Sequence, residues 1–504
     1  GPSLGTNRTM QMQRSVRLVC LLTVLAGAGA SPAGAGEVRA TLATDPTRLA
    51  GADELGRLLL YTPDPLEPGS SMSHWDLSAT PDLLMEPVAS PDVPFGEVDL
   101  TLTHFRDIGW PQGTSVITLR IQDPEGEGFN DTTEVAPAPG NPGGTTLGGQ
   151  RRAAMEWVVG VWASLLGSGI EINIETCFDD LDCGPEPEDG AVLAAAGAIF
   201  LFSDFPNAPM AGTWYHGALA ESLADEDLST NEDGFPPEAG ELTVTFNRGI
   251  DEECLAEGFR YYYGLDGNTP SGQVPFTSVA LHEMGHGLGF ANFINDTTGS
   301  PPQFSGVAPM PDIYTVYTFD KDEQLHWSEM NNSQRRASAV NTDRVVWDGP
   351  QTTNAAPDYL GSPPTLTINS PSGLEGTYAV QPAVFGPPID LTGVSGDMAV
   401  VDDGSADSTL GCGSLINGSS ITGRIAVVDR GECDFTEKVK NAQNAGATAV
   451  IVVNNQPRGL PPMGGDDATI TIPSAGISEA DGELIKRVLE DRRNITRRSG
   501  TRLA

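Results

Sequence analysis

The stretch that most constrains this chain runs from Val279 to Phe290 and carries the pattern H-E-x-x-H at His282, Glu283 and His286. On a helix, residues four apart share one face, so the two imidazoles point the same way and the Glu283 carboxylate stands beside them. Two such imidazoles can hold one zinc ion with the carboxylate as general base, which is the arrangement of a metal-dependent peptide hydrolase. The flanks agree with a helix. Pro275, Thr277 and Ser278 read as its start, and Gly287 and Gly289 as the place where it stops and turns. A chance match on a helix with two solvated histidines is disfavoured by these flanks.

A catalytic zinc takes three protein ligands and keeps a fourth position for water. Three residues beyond Gly289, where the commonest metzincin pattern carries a histidine, stands Asn292, and an amide is a poor zinc ligand. The remaining histidines are His74, His104, His216 and His326. His216 and His326 have aromatic neighbours and no partner at ligand spacing, so they read as packing or cleft-wall residues, and His104 reads the same way. Asp312 and Asp320 are carboxylate alternatives, with Asp312 second to His74.

The segment from Ser70 through His74 and Trp75 to Met85 and Pro87 resembles the part of leishmanolysin-like metzincins that carries a distant third histidine and then the methionine of the Met-turn. The helix resembles the same family, in which H-E-x-x-H-x-x-G-F is followed by no nearby histidine. The resemblance implies His74 as third zinc ligand and Met85 as the Met-turn residue under the metal. Residues 99–110 resemble the closing helix that follows. The order departs from the family, since His74 here precedes His282. That order looks like a circular permutation, or a chimeric or misassembled chain. A ligand set is defined in space, and chain termini are often close enough for reordering to be tolerated. The last residues, Thr501 to Ala504, repeat the four at Thr47 to Ala50.

From about Pro363 the composition turns to Gly-rich alternation. Gly411, Cys412, the run Ile421 to Val453 and the run Ile472 to Ile477 together resemble a protease-associated (PA) domain. Here a buried strand, a turn, a helix from Phe435 to Ala445 closed by Gly446, and a β-branched strand follow one another. The segment holds no nucleophile or metal cluster, and the resemblance implies a non-catalytic appendage that influences substrate access or partner binding. Residues 37–43 are expected to pair with its sheet.

Between these parts, residues 115–122 alternate as a strand, 150–166 have apolar residues at helical spacing, and 170–176, 191–202 and 241–247 supply further strands. The expected fold class is α+β, a metzincin-like zinc peptidase domain joined to a β-rich α/β PA domain. The expected division is 1–35 leader and signal peptide; 36–112 displaced segment with third ligand, Met-turn and closing helix; 113–360 catalytic domain; 361–490 PA domain; and 491–504 tail.

Arg14 and Arg17, the apolar run Leu18 to Leu25 and the small residues Ala28 to Ala35 form a secretory signal pattern over 10–35, too short to span a bilayer. With 68 acids against 28 bases, the formal net charge of -40 repels nucleic acid and anionic membrane. No other segment is apolar enough to span. Acid-rich loops around Asp179, Asp180 and Asp182, and around Asp251, are candidates for Ca2+, although no EF-hand spacing is present. For an exported chain the cysteines predict disulfides: Cys412 with Cys433, and Cys177 with Cys183, for which Cys254 competes.

The sequence therefore predicts a secreted zinc metalloendopeptidase acting on protein or peptide substrates, with Zn2+ on His282, His286 and His74, and Glu283 as base. The alternative is a secreted binding or adhesion protein, catalytically impaired, that works through the PA domain. A zinc hydrolase acting on something other than protein is disfavoured by the PA resemblance.

Overall fold

The computed structural model describes residues 38–89, 93–184, 191–229, 239–252, 254–255, 259–304, 307–457, 459–461 and 463–500, with side chains up to residue 490. The signal pattern at 10–35 and the repeat at 501–504 lie outside these. The described chain is a mixed α/β protein with two main sheets, the first packed on one hydrophobic core and the second carrying a separate cluster on each face.

The first sheet has four strands in the order Ile117–Ile121, Ile172–Asp179, Leu242–Asn247 and Ala194–Ala198. The first three run parallel and the last is antiparallel. Ile172, Ile174, Thr176 and Phe178 alternate inward from one of them, the period-two burial of a strand with one covered face. The cover includes the helix Leu147–Leu165, which begins earlier than its apolar spacing indicated. Thr146 caps it by accepting from the Gly149 N–H, a start signal masked by the glycines that follow.

The helix that carries the H-E-x-x-H pattern is Phe276–Leu288. It starts directly after Pro275 without a side-chain cap, so Thr277 and Ser278 lie inside it. It ends at Gly289, whose φ of 142° suits glycine. Gly287 is helical and does not stop the helix. A Cβ there would lie 2.5 Å from Leu242 Cδ1, so its lack of a side chain lets the helix sit close on the sheet.

Residues 45–112 and 113–360 share one core, in which Leu60, Trp75, Met85, Leu100 and Phe105 pack with Trp162, Phe276, Met284, Phe290 and Trp347. The expected closing helix is Thr101–Ile108, ended by Gly109 in the left-handed region. It packs against the helix Pro350–Tyr359.

The second sheet has eight strands in the order Gly376–Ala379, Pro364–Ser370, Arg39–Thr44, Val394–Val400, Ile425–Asp429, Ala449–Val453, Ser474–Ile477 and Gln381–Pro382. Pairing is parallel from Val394–Val400 to Ser474–Ile477 and antiparallel outside that block. Arg39–Thr44 lies between Pro364–Ser370 and Val394–Val400, so the beginning of the expected 36–112 unit belongs to this sheet. The helix Phe435–Asn444 covers one face through Val439 and Ala442, and Ile485 of the last helix covers the other.

Candidate metal centre

His282 and His286 project from one face of their helix, and the loop after Ser70 brings His74 to meet them. The three Nε2 atoms converge: His74 to His282 is 3.2 Å, His74 to His286 is 3.2 Å, and His282 to His286 is 3.0 Å. Each opposite nitrogen faces a main-chain carbonyl. Nδ1 of His74 donates to Ser70 O at 2.7 Å, that of His282 to Leu84 O at 2.7 Å, and that of His286 to Phe290 O at 2.8 Å. Carbonyls only accept, so each Nδ1 carries the proton and each Nε2 turns a lone pair toward the others.

Three lone pairs this close repel unless a cation lies among them. Zinc bonds of 2.0–2.1 Å at tetrahedral angles separate ligand nitrogens by about 3.3 Å, close to what the rings show. The donor set fits zinc. Among the described residues these three form the one group of such side chains drawn together tightly enough for a metal. Burial and the neighbouring histidines hold His74 well below its ordinary pKa. Burial takes His282 down to about 4, and burial with His282 close by takes His286 to about 3. The neutral rings that result are the form a metal binds.

Glu283 is 8% exposed, and burial pushes its carboxyl up to about 8. Met85 is fully buried beneath the helix, where a Cβ on Gly285 would lie 2.7 Å from its sulfur. Its carbonyl accepts from the Trp75 N–H at 2.8 Å, next to the residue that supplies His74. The segment 70–86 thus delivers one imidazole, orients a second through Leu84 O and packs under the turn between the helical pair. Nothing in the sequence marks those carbonyls, since every residue has one.

Asn292 braces the same segment, its N–H and Nδ2 donating to Ser73 Oγ at 3.3 and 3.1 Å. Asp312, the second-choice ligand, is instead a helix cap. It is buried, accepting from Phe293 N at 2.9 Å and Thr315 N at 2.8 Å, so its oxygens are spent on main-chain donors. Asp320 accepts from Ser338 Oγ and Asp322 N. His104 and His216 are fully buried among aromatic rings and stand apart from the cluster. His326 bonds Asp348 at 3.0 Å.

Two of the acidic residues weighed for Ca2+ have cationic partners. Asp180 pairs with Arg248, and Asp251 accepts from Arg151 and Tyr263. The expected Cys177–Cys183 disulfide is corrected: Cys183 bonds Cys254, with Cα atoms 5.1 Å apart, and Cys177 is a free thiol. Cys177 lies on the strand Ile172–Asp179 beside Thr245, whereas Cys183 lies past the strand end, where the turn Arg248–Asp251 brings Cys254. Sequence proximity does not see that fold-back. Cys412 and Cys433 are bonded, with Cα atoms 5.8 Å apart.

Residues 392–485 match the PA domain family. Among curated proteins the chain is similar to "Receptor homology region, transmembrane domain- and RING domain-containing protein 1" of Oryza sativa subsp. japonica, 48% identical over 56 residues, which are 11% of this chain and 10% of that protein. Among solved structures it is similar to a zinc aminopeptidase from Bacillus subtilis, with 28% identity over 22% of this chain and 26% of the other and a TM-score of 0.19. It is also similar to an aminopeptidase from Aneurinibacillus sp. strain AM-1, with 23% identity over 26% of each chain and a TM-score of 0.17. The chain spans about a tenth of the curated relative and about a quarter of these structures, so the likeness is confined to short segments. No helix among the described residues is long and apolar enough to cross a membrane. What the comparisons establish for this chain is that a PA domain is present at 392–485.

Proposed function

We propose that the chain is a secreted zinc metalloendopeptidase of the metzincin type, resembling the leishmanolysin-like enzymes in its motifs, and that it hydrolyses protein or peptide substrates. The observation that carries this reading is the convergence of the Nε2 atoms of His74, His282 and His286, each ring oriented by a carbonyl. The signal pattern and two disulfides support export to an oxidising compartment.

The three histidines would hold the ion through Nε2. When bound, zinc supplies Lewis-acid polarisation of the scissile carbonyl and lowers the pKa of a coordinated water to about 7. Glu283 takes the proton of the attacking water and returns it to the departing amine. Burial alone favours its protonated form, and a cation held by the three histidines would favour the carboxylate. The Ser70, Leu84 and Phe290 carbonyls keep the rings in one tautomer, and Met85 fills the space beneath.

The test is elemental analysis of the purified protein beside a peptide-hydrolysis assay. We expect one zinc per chain and hydrolysis in the parent. Glu283→Gln keeps the zinc and lowers kcat by about 10²–10⁴-fold, the usual worth of a general base. His74→Ala loses most of the zinc. Equal zinc in parent and His74→Ala would remove His74 from the ligand set. A parent that binds no zinc would leave a secreted binding protein working through its PA domain.

A further inference from the structure

In the Cys412–Cys433 disulfide, the Cys412 sulfur is in contact with a buried ammonium. Lys438, on the helix Phe435–Asn444, is fully buried, and its ammonium donates to Leu410 O at 3.0 Å, to Gly431 O at 2.5 Å and to Cys412 Sγ at 3.5 Å. Its three protons thus meet two carbonyls and one sulfur, and among the described residues no donor contacts Cys433 Sγ. Both cysteines are half-buried. The second disulfide provides a contrast, because Cys183 and Cys254 face the neutral amide of Asn247, with Nδ2 3.9 and 3.5 Å from the two sulfurs.

In thiol–disulfide exchange the sulfur that leaves carries the negative charge, and the bond breaks faster when that charge is stabilised. A cation beside one sulfur therefore makes exchange directional. We propose that Cys433 is a site of reversible S-thiolation by low-molecular-weight thiols, with Cys412 as the leaving thiolate received by the Lys438 ammonium. The incoming thiol, having lost its proton to solvent, attacks Cys433 Sγ as a thiolate. The Sγ–Sγ bond breaks, a mixed disulfide forms on Cys433, and the electron pair goes to Cys412 Sγ. No external oxidant is consumed. The reverse attack by Cys412 restores the bond.

The exchange bears on a cavity of about 380 Å³ at the carboxyl ends of the strands Ile425–Asp429 and Ala449–Val453. Leu410, Gly431 and Glu432, which flank the two cysteines, line it together with Arg430, Asn454 and Lys486. Thiolation unlinks the segments that carry Leu410 and Gly431 and adds a substituent beside Glu432.

The experiment uses the whole protein with Cys177 blocked by alkylation, exposed to reduced glutathione, quenched with iodoacetamide and mapped by mass spectrometry. We expect glutathione on Cys433, the alkyl group on Cys412, and Cys183–Cys254 intact over the same interval. Lys438→Met should slow the adduct about tenfold and erase the preference between the two sulfurs, and Lys438→Arg should keep it. Adducts mainly on Cys412, or shared equally in the parent, overturn the proposal whether or not either variant folds. So does a folded Lys438→Met that reacts at the parent rate.

Discussion

At the scale of single residues, burial sets the charge states that matter. Glu221, on the helix Gly217–Ala224, is 2% exposed, and burial, with Glu241 and Asp227 nearby, pushes its carboxyl up to about 8. The folded state therefore holds this proton more tightly than the unfolded chain. Its stabilising contribution is complete below the unfolded pKa of about 4.3 and is lost as pH rises through about 8. Glu221→Gln keeps an acceptor for the Leu228 N–H and removes the ionisation. Denaturant unfolding should show the variant equal to the parent near pH 5 and more stable above pH 8, with the slope between them flatter by up to about 1.4 kcal/mol per pH unit. Equal slopes would place the proton elsewhere. At the candidate metal centre the same physics keeps the three imidazoles neutral. His282, Glu283 and His286 were legible in the sequence because an i, i+4 pair depends only on the helical period. The carbonyls of Ser70, Leu84 and Phe290 were not, because a main-chain acceptor carries no side-chain signature.

At the scale of elements, the central helix owes its position to residues without side chains. Gly287 lets it approach the strand Leu242–Asn247, and Gly285 leaves room for Met85. A Cβ at residue 287 would lie 2.5 Å from Leu242 Cδ1 and 3.1 Å from its Cβ, inside a packed core. Gly287→Ala should therefore cost about 1–3 kcal/mol as overpacking, despite alanine's better helix propensity. Thermal unfolding checks this, and a variant at least as stable as the parent would mean that the helix is free to lift. From sequence, Gly287 reads as a stop signal. Glycine's backbone freedom and its small size leave the same letter, and only the neighbouring strand tells them apart. The strands and the helix of residues 421–453 were read nearly in full, because their β-branched runs and the closing Gly446 are local signals.

At the scale of the whole molecule, a short early strand ties distant parts together. Leu42 is fully buried, paired with Leu366 on one side and Val394 on the other. Leu42→Ala should cost about 2–5 kcal/mol through lost burial and a cavity in the eight-stranded sheet. Denaturant unfolding measures it, and a loss well below 1 kcal/mol would show that the sheet is complete without this strand. The segment after it, 45–112, belongs to the other core, so the chain passes from the second sheet to the histidine cluster and later returns.

The amino-acid order alone determined what depends on local period and composition: the paired histidines with their glutamate, the alternating and β-branched strands, and the Gly-rich PA segment. Resemblance to the leishmanolysin-like metzincins, not period or composition, pointed to His74, which lies 208 residues from His282. The tertiary structure decided what depends on which surfaces meet: that His74 reaches the helical pair, that Asn292 braces Ser73 and Asp312 caps a helix, that Cys183 finds Cys254, and that the Lys438 ammonium lies on one sulfur of a disulfide. Contacts of this kind are selected by the packing of shared cores, and a buried partner can come from any distance along the chain.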